Sequence, residues 1–290
     1  MKQYISQSYQ TSLLATSASK LVSRCHLMLL GVVMFFLPTS VGIAGEPAIS
    51  KVFLLAGQSN MESQGSLKDL PKALRRPPSN VFYWKKGSWK RYEFHDAWLM
   101  PGKEFGPELS LAYQLANAHP NETLGVLKVA KGGTAIKQWG PESALMQTLL
   151  REMRAATSTD HHEVAGMFWM QGERDARFGE SKYAERFRQL IEQIRRETGQ
   201  SQLPFVFGQI SRIVPKRKFN EEVRAAQTQI ANKIEHVSMV VTDDLERKKE
   251  SIVVDGQQTT LLAHYSSQGQ IELGIRFAEA YLEIIRPPAP

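Results

Sequence analysis

Ser59 follows the run Val52-Phe53-Leu54-Leu55-Ala56-Gly57 and is flanked by Gln58 and Asn60. Four consecutive apolar residues predict a strand buried on both faces. The small pair Ala56-Gly57 permits a tight turn at its end. A hydroxyl placed there stands at the C-terminal edge of a parallel sheet, where open α/β folds build their sites. It can act as a nucleophile, or merely cap a helix starting near Asn60. Such a helix would favour an anion beside the hydroxyl through its free N–H groups and dipole.

Three further groups have types suited to the same chemistry. Lys131-Gly132-Gly133-Thr134 supplies backbone N–H groups that a substrate can approach, or forms a plain turn. Gln171 offers an amide donor and Glu173 a carboxylate, directly after Phe168-Trp169-Met170. A hydroxyl nucleophile also needs a base. The chain has seven histidines. His26 lies near the N-terminus, and His119, His161, His162 and His236 fall in polar connections. His95 precedes Phe105 as a candidate substrate contact. His264 sits in the last loop, just before a helix opening with Ser266-Ser267, and is the best-placed base.

These residues require elements that bring them to one edge. Apolar strand-like runs are predicted at Val52–Ala56, Leu124–Ala130, Val164–Met170, Phe205–Ile210 and Val237–Val241, with a hairpin of Val81–Trp84 and Trp89–Tyr92. Helical patterns alternate with them, the clearest being Tyr183–Glu197, with Phe187, Leu190, Ile191 and Ile194 on one face, and Ser267–Ile285. Strict alternation means a parallel sheet covered by helices on both sides. Ser59, the glycine pair and the Gln171-Gly172-Glu173 run all follow strand ends, so they should converge.

Composition narrows the setting. Of the 290 residues 42% are hydrophobic and 22% charged, the balance of a globular protein. Residues 1–45 carry only three charges, Lys2, Lys20 and Arg24, then an apolar stretch Leu27–Leu37 and small residues up to Gly45. That order predicts a secretory signal peptide, cleaved near Ala44 or Gly45 and too short to span a membrane comfortably, with an uncleaved N-terminal anchor as the alternative. A single domain over 46–290 follows, secreted or periplasmic, with no stable membrane insertion. The one cysteine, Cys25, lies in the leader, so the remaining chain has no thiol or disulfide chemistry. Net charge falls from +7 to +4 once the leader's three cations are removed, and the basic residues are dispersed. No nucleic-acid-binding signature is present. The aromatics Tyr83, Trp84, Trp89, Tyr92, Trp98 and Trp139 are available for a sugar platform or for the core.

The runs Gly57-Gln58-Ser59-Asn60-Met61, Lys131-Gly132-Gly133-Thr134, Trp169-Met170-Gln171-Gly172-Glu173-Arg174-Asp175 and His264-Tyr265-Ser266 occur in order, with Phe105-Gly106-Pro107-Glu108 between the first two. Together they resemble the sialate O-acetylesterase and acetylxylan esterase group of the SGNH hydrolases, over nearly all of 46–290. The resemblance implies a flavodoxin-like three-layer α/β/α fold and removal of acetyl groups from carbohydrate hydroxyls, with no cofactor or metal. It implies Ser59 as nucleophile and His264 as base. Ser59, Gly132 or Gly133, and Gln171 would form the oxyanion hole.

One position departs from the group. Its aspartate three residues before the histidine is here Leu261, which cannot hydrogen-bond an imidazole. Glu173 is the first substitute and Asp255 the second, with Asp175 bracing a loop. If no carboxylate holds His264, the alternative is an inactive carbohydrate-binding protein on the same fold. The oligomeric state is not legible in the chain.

Overall fold

The computed structural model describes residues 47–91, 104–158, 162–212, 217–254 and 257–287. All of these fall in one compact unit, Gly45–Pro290. Residues 1–46 with Cys25, and also Tyr92, His95, Trp98, His161 and Asp255, lie outside the described residues.

In chain order the elements are β1 (Lys51–Gly57), α1 (Ser59–Glu62), β2 (Gly65–Ser66), β3 (Val81–Lys85), β4 (Ser88–Lys90), β5 (Glu104–Phe105), α2 (Glu108–Ala118), β6 (Leu124–Ala130) and α3 (Ala144–Ala156). There follow β7 (Glu163–Met170), α4 (Glu173–Phe178), α5 (Tyr183–Thr198), β8 (Phe205–Gly208), α6 (Asn220–Lys233), β9 (Val237–Val240), β10 (Glu250–Val254), β11 (Gln257–Leu261) and α7 (Ser267–Ile285). The main sheet runs β4-β3-β6-β1-β7-β8-β9. Every pairing in it is parallel except the β3–β4 hairpin. From β6 to β9 the order is that of flavodoxin-like sheets, with β1 at the centre and the chain leaving it in both directions. The expected three-layer α/β/α architecture is what the chain adopts.

The central strands alternate their side chains between two helical layers. On one face Phe53 meets Tyr281 edge-on at 5.3 Å and Phe168 lies 5.8 Å from Phe277, which seats α7. On the other, Trp169 packs edge-on to Trp139 at 5.0 Å and Phe187 of α5 to Phe207 at 4.9 Å. Burying each such side chain is worth about 1.5–3 kcal/mol. Tyr83, Trp84, Trp89 and Trp139 are all buried. Tyr83, Trp89 and Trp139 belong to the core rather than to a sugar platform, while Trp84, largely buried, also lines a surface cavity.

Helix α3 begins at Ala144 because Ser143 caps it, its Oγ accepting from the Met146 N–H. One difference from the sequence expectation matters: the segment before His264 is not a plain loop. It forms a separate antiparallel hairpin, β10–β11, in which Glu250 pairs directly with Leu261.

The chain turns sharply where β1 ends. Gly57 has φ +145°, and a Cβ there would lie 2.1 Å from the Met170 carbonyl oxygen. That carbonyl accepts the Gln58 N–H at 2.8 Å, while Gly57 O accepts the Lys131 N–H at 3.0 Å. Glycine is thus required between β6 and β7. We expect Gly57→Ala to cost about 3 kcal/mol or more, read as a fall in the thermal midpoint or loss of soluble protein. An unchanged midpoint would contradict this packing.

Candidate active site

Ser59 opens the short helix α1, immediately beyond the turn at Gly57. Its Oγ lies 3.0 Å from His264 Nε2. The other ring nitrogen, Nδ1, lies 2.8 and 3.0 Å from the two carboxylate oxygens of Glu250. Serine, imidazole and carboxylate therefore form a continuous hydrogen-bonded line. Its members come from the end of β1, the loop after β11 and the start of β10. The His264 and Glu250 side chains are each about one-quarter exposed, so the line opens to solvent at the sheet edge. This is the arrangement in which a hydroxyl loses its proton to a neutral imidazole whose tautomer is held by a carboxylate.

The loop bearing His264 is fixed from two sides. Asn60 reaches it from the nucleophile turn: its Oδ1 accepts the Tyr265 N–H at 3.2 Å and its Nδ2 donates to Ala263 O at 3.3 Å. The same Nδ2 donates to Glu173 Oε1 at 2.6 Å. On the far side Lys248 N donates to His264 O, Ser266 N to Glu246 O, and Arg247 Nη1 to Leu262 O. The Arg247 guanidinium stacks 4.6 Å above the Tyr265 ring. Burial pushes the Tyr265 phenol up to about 12. It remains a neutral donor to Thr242 Oγ1.

The second strand end brings Gly132 beside Ser59. A Cβ on Gly132 would sit 3.7 Å from the Ser59 Cβ, an ordinary contact, and 3.0 Å from Glu62 Oε2, so the two turns lie side by side. The Gly132 N–H points to Glu62 Oε2 at 2.8 Å. Gly133 adopts φ +68° with open space around it. Among the described residues no cluster of His, Cys, Asp and Glu could hold a metal ion, and no helix is long and apolar enough to cross a membrane.

A family model for the sialic acid-specific acetylesterases, a class of carbohydrate esterases, matches residues 49–283. The chain belongs to this family. As a member it is a carboxylic ester hydrolase. It is 24% identical over 255 residues to the probable carbohydrate esterase At4g34215 of Arabidopsis thaliana, covering 80% of this chain and 90% of the relative. The X-ray structure of that Arabidopsis protein superposes with a TM-score of 0.65 at 21% identity, over 81% of this chain and 98% of the other. NanS gives 0.61 at 18% identity, over 82% and 98%. A carbohydrate acetylesterase from Xanthomonas citri gives 0.57 at 21% identity, over 80% of this chain and 56% of that one. At these identities the structural likeness establishes the shared fold.

Against the residues expected from sequence, the esterase brings Ser59, His264 and Gly132 together. Two assignments are corrected. Glu173 does not hold His264: one of its oxygens takes the Asn60 amide, and Glu250 already fills Nδ1. Gln171 is fully buried, and its Nε2 donates to Thr134 O at 2.9 Å and to Asp175 at 2.5 Å. Both of its N–H bonds are committed, so it has none to offer an oxyanion. It acts instead on the glycine loop, whose Thr134 Oγ1 bonds back to Lys131 O. Asp175 braces the following turn through the Ile136 N–H. Burial raises its carboxyl above the usual range, against the hydrogen bonds from Gln171 and Ile136.

Three residues were missed. Glu250 had a signal: Val253-Val254-Asp255-Gly256 places Asp-Gly after β-branched residues, the mark of a hairpin that sets position 250 opposite Leu261. Asn60 and Glu62 carried none beyond their closeness to Ser59. Asn60 joins three segments, so we expect Asn60→Ala to destabilise the fold by about 2–3 kcal/mol, the Glu173 carboxylate being left without that donor. Chemical denaturation measures this, and a loss under about 0.5 kcal/mol would show the junction to be held otherwise.

Proposed function

We propose that this esterase is a serine hydrolase that removes O-acetyl groups from a carbohydrate by two-step acyl transfer. The observation that carries the reading is the line Ser59 Oγ, His264 Nε2, His264 Nδ1 and Glu250. Ser59 Oγ attacks the acetyl carbonyl carbon while its proton passes to His264 Nε2. Glu250 stabilises the imidazolium that forms. The negative oxygen of the tetrahedral intermediate is met by the Ser59 N–H and, on this reading, by the Gly132 N–H rather than by Gly133 or Gln171. Collapse expels the sugar oxygen, which takes the proton from His264. The acetyl group is then an ester of Ser59. Water gives a proton to His264 as it attacks that ester; collapse breaks the Ser59 Oγ–acyl bond, Ser59 Oγ takes the proton back from His264, and acetate leaves. No metal or organic cofactor enters any step. Leu261 was the only motive for an inactive binding protein. With Glu250 on the imidazole, that motive is gone.

The test is hydrolysis of p-nitrophenyl acetate and of acetylated glycans, followed by acetate release. Ser59→Ala should abolish turnover with the thermal midpoint unchanged, and wild-type turnover in that variant would refute the nucleophile assignment. Glu250→Gln should lower kcat by up to about 10⁴, the cost of losing the carboxylate partner of a catalytic histidine. Glu173→Gln should cost far less. Because position 261 lies directly opposite Glu250, the pair Glu250→Ala with Leu261→Asp should recover activity that Glu250→Ala alone has lost. Absence of that recovery would count against the cross-strand equivalence.

We also propose export, on the order of charged, apolar and small residues before Glu46. Mass spectrometry of the protein from its native cell should find an N-terminus near Gly45 or Glu46. Retention of Met1 on the bulk of the active protein would reject this.

A further inference from the structure

Glu62 stands where the reaction proposed above needs an empty donor. Its Oε2 accepts the Gly132 N–H at 2.8 Å, and Gly132 lies against Ser59. A carboxylate in that place does two things to an acyl intermediate. It occupies one of the N–H groups available to the oxyanion, and it sets a like charge beside the negative oxygen that must form there. The side chain has somewhere else to go. Glu62 also borders a surface cavity of about 400 Å³, lined further by Ser63, Trp84, Lys86, Thr148 and Glu152. The cavity lies along the C-terminal parts of β3 and β6, toward the sheet edge that carries Ser59. Its lining sets carboxylates, the ammonium groups of Lys85, Lys86 and Lys128 and two hydroxyls beside an indole and the apolar Leu127, Val129 and Ala130, the mix of apolar surface and a few polar groups that ligand sites use. The Glu62 backbone does not need to move: Lys128 Nζ donates to Glu62 O at 2.6 Å, and Lys128 is itself held by the buried Glu108 carboxylate at 2.7 Å. The Glu62 side chain thus stands between the Gly132 N–H and the cavity.

We propose that Glu62 is a specificity-determining residue that couples the cavity to the oxyanion hole. A sugar unit of the substrate, other than the acetyl group, occupies the cavity and donates its hydroxyls to the Glu62 carboxylate. That draws Glu62 off Gly132 and frees the N–H for the oxyanion. The substrate class follows: an acetylated oligosaccharide or extended sugar with free hydroxyls beside the ester. A small acetate ester cannot fill the cavity and reacts with the donor still engaged. This rests on the acyl-transfer reading, whose own failure is seen separately, as turnover surviving in Ser59→Ala.

The experiment compares kcat on p-nitrophenyl acetate with kcat on acetylated xylo-oligosaccharides or O-acetylated sialic acid, whichever the wild type turns over faster. Wild type, Glu62→Ala and Glu62→Gln are measured together with their thermal midpoints. One oxyanion donor is worth about 10²–10³ in kcat. Glu62→Ala should therefore raise kcat on the small ester by about 10-fold or more, and the preference for the sugar ester should fall by a similar factor. Glu62→Gln, which keeps an acceptor but removes the charge, should fall between. Small-ester kcat unchanged or lowered in Glu62→Ala, with the midpoint intact, would overturn the proposal. Rescue of such a loss by Glu62→Gln would show that Glu62 only braces the Gly132 turn.

Discussion

The Asn60 amide is bonded to residues 113 and more than 200 positions away in the chain, and the site depends on this junction. Its Nδ2 bonds Glu173 Oε1 and Ala263 O, and its Oδ1 takes the Tyr265 N–H. Ser59 and His264 must meet to within hydrogen-bond reach although 205 residues separate them. The bond between them is exposed to water on one side and worth little by itself. Asn60 is buried, adjoins Ser59 in sequence and grips the residues on both sides of His264. The distance from hydroxyl to imidazole is thus set by buried bonds, and the reactive pair does not have to hold itself together. Preorganisation of this kind lowers the cost of reaching the transition state, because the groups are aligned before the substrate arrives.

A similar economy explains how the carboxylate can sit on another strand. The imidazole needs an acceptor at Nδ1, from a direction that keeps Nε2 on the serine. The position three residues before the histidine meets that need, but so does its cross-strand neighbour, since directly paired residues of an antiparallel hairpin project from the same face. Glu250 and Leu261 are such a pair. Glutamate, one methylene longer than aspartate, spans the extra reach, and Leu261 is left half-buried with no polar task.

Much of this was legible in the chain. The strands β1 and β7 carry continuous apolar runs and β6 is broken only by Gly125 and Lys128, so they announce themselves, as does α7 by its periodicity. Their strict alternation with helices settles the parallel sheet, and the sheet then gathers Ser59 and Gly132 on one edge. What failed was side-chain direction. Gln171 and Glu173 follow β7 at the right edge, yet the first is turned into the core by Thr134 and Asp175, and the second is claimed by Asn60. Strand ends fix where a residue is to within a few ångströms, while its donors go to whichever buried group lacks a partner. Spacing along the chain carries no record of that competition. The β10–β11 hairpin is a different case. Strand β11, Gln257-Gln258-Thr259-Thr260-Leu261, shows no apolar alternation, so only the Ile252-Val253-Val254 run and the Asp255-Gly256 pair after it marked the hairpin.

The position of Glu62 follows from the same competition for partners. Helix α1 is a single turn, and the Met61 and Glu62 N–H groups both close back on Gln58 O. So short a helix has little dipole to offer an anion, which shifts the burden of binding the oxyanion onto individual N–H groups. Gly132 is the one brought against Ser59 by the close approach of β1 and β6. A carboxylate one turn along from the nucleophile finds that donor, because the donor is otherwise left facing the site. On the proposed acyl-transfer reading, an N–H with no partner in the sheet would serve the oxyanion, and it is the same N–H that Glu62 accepts.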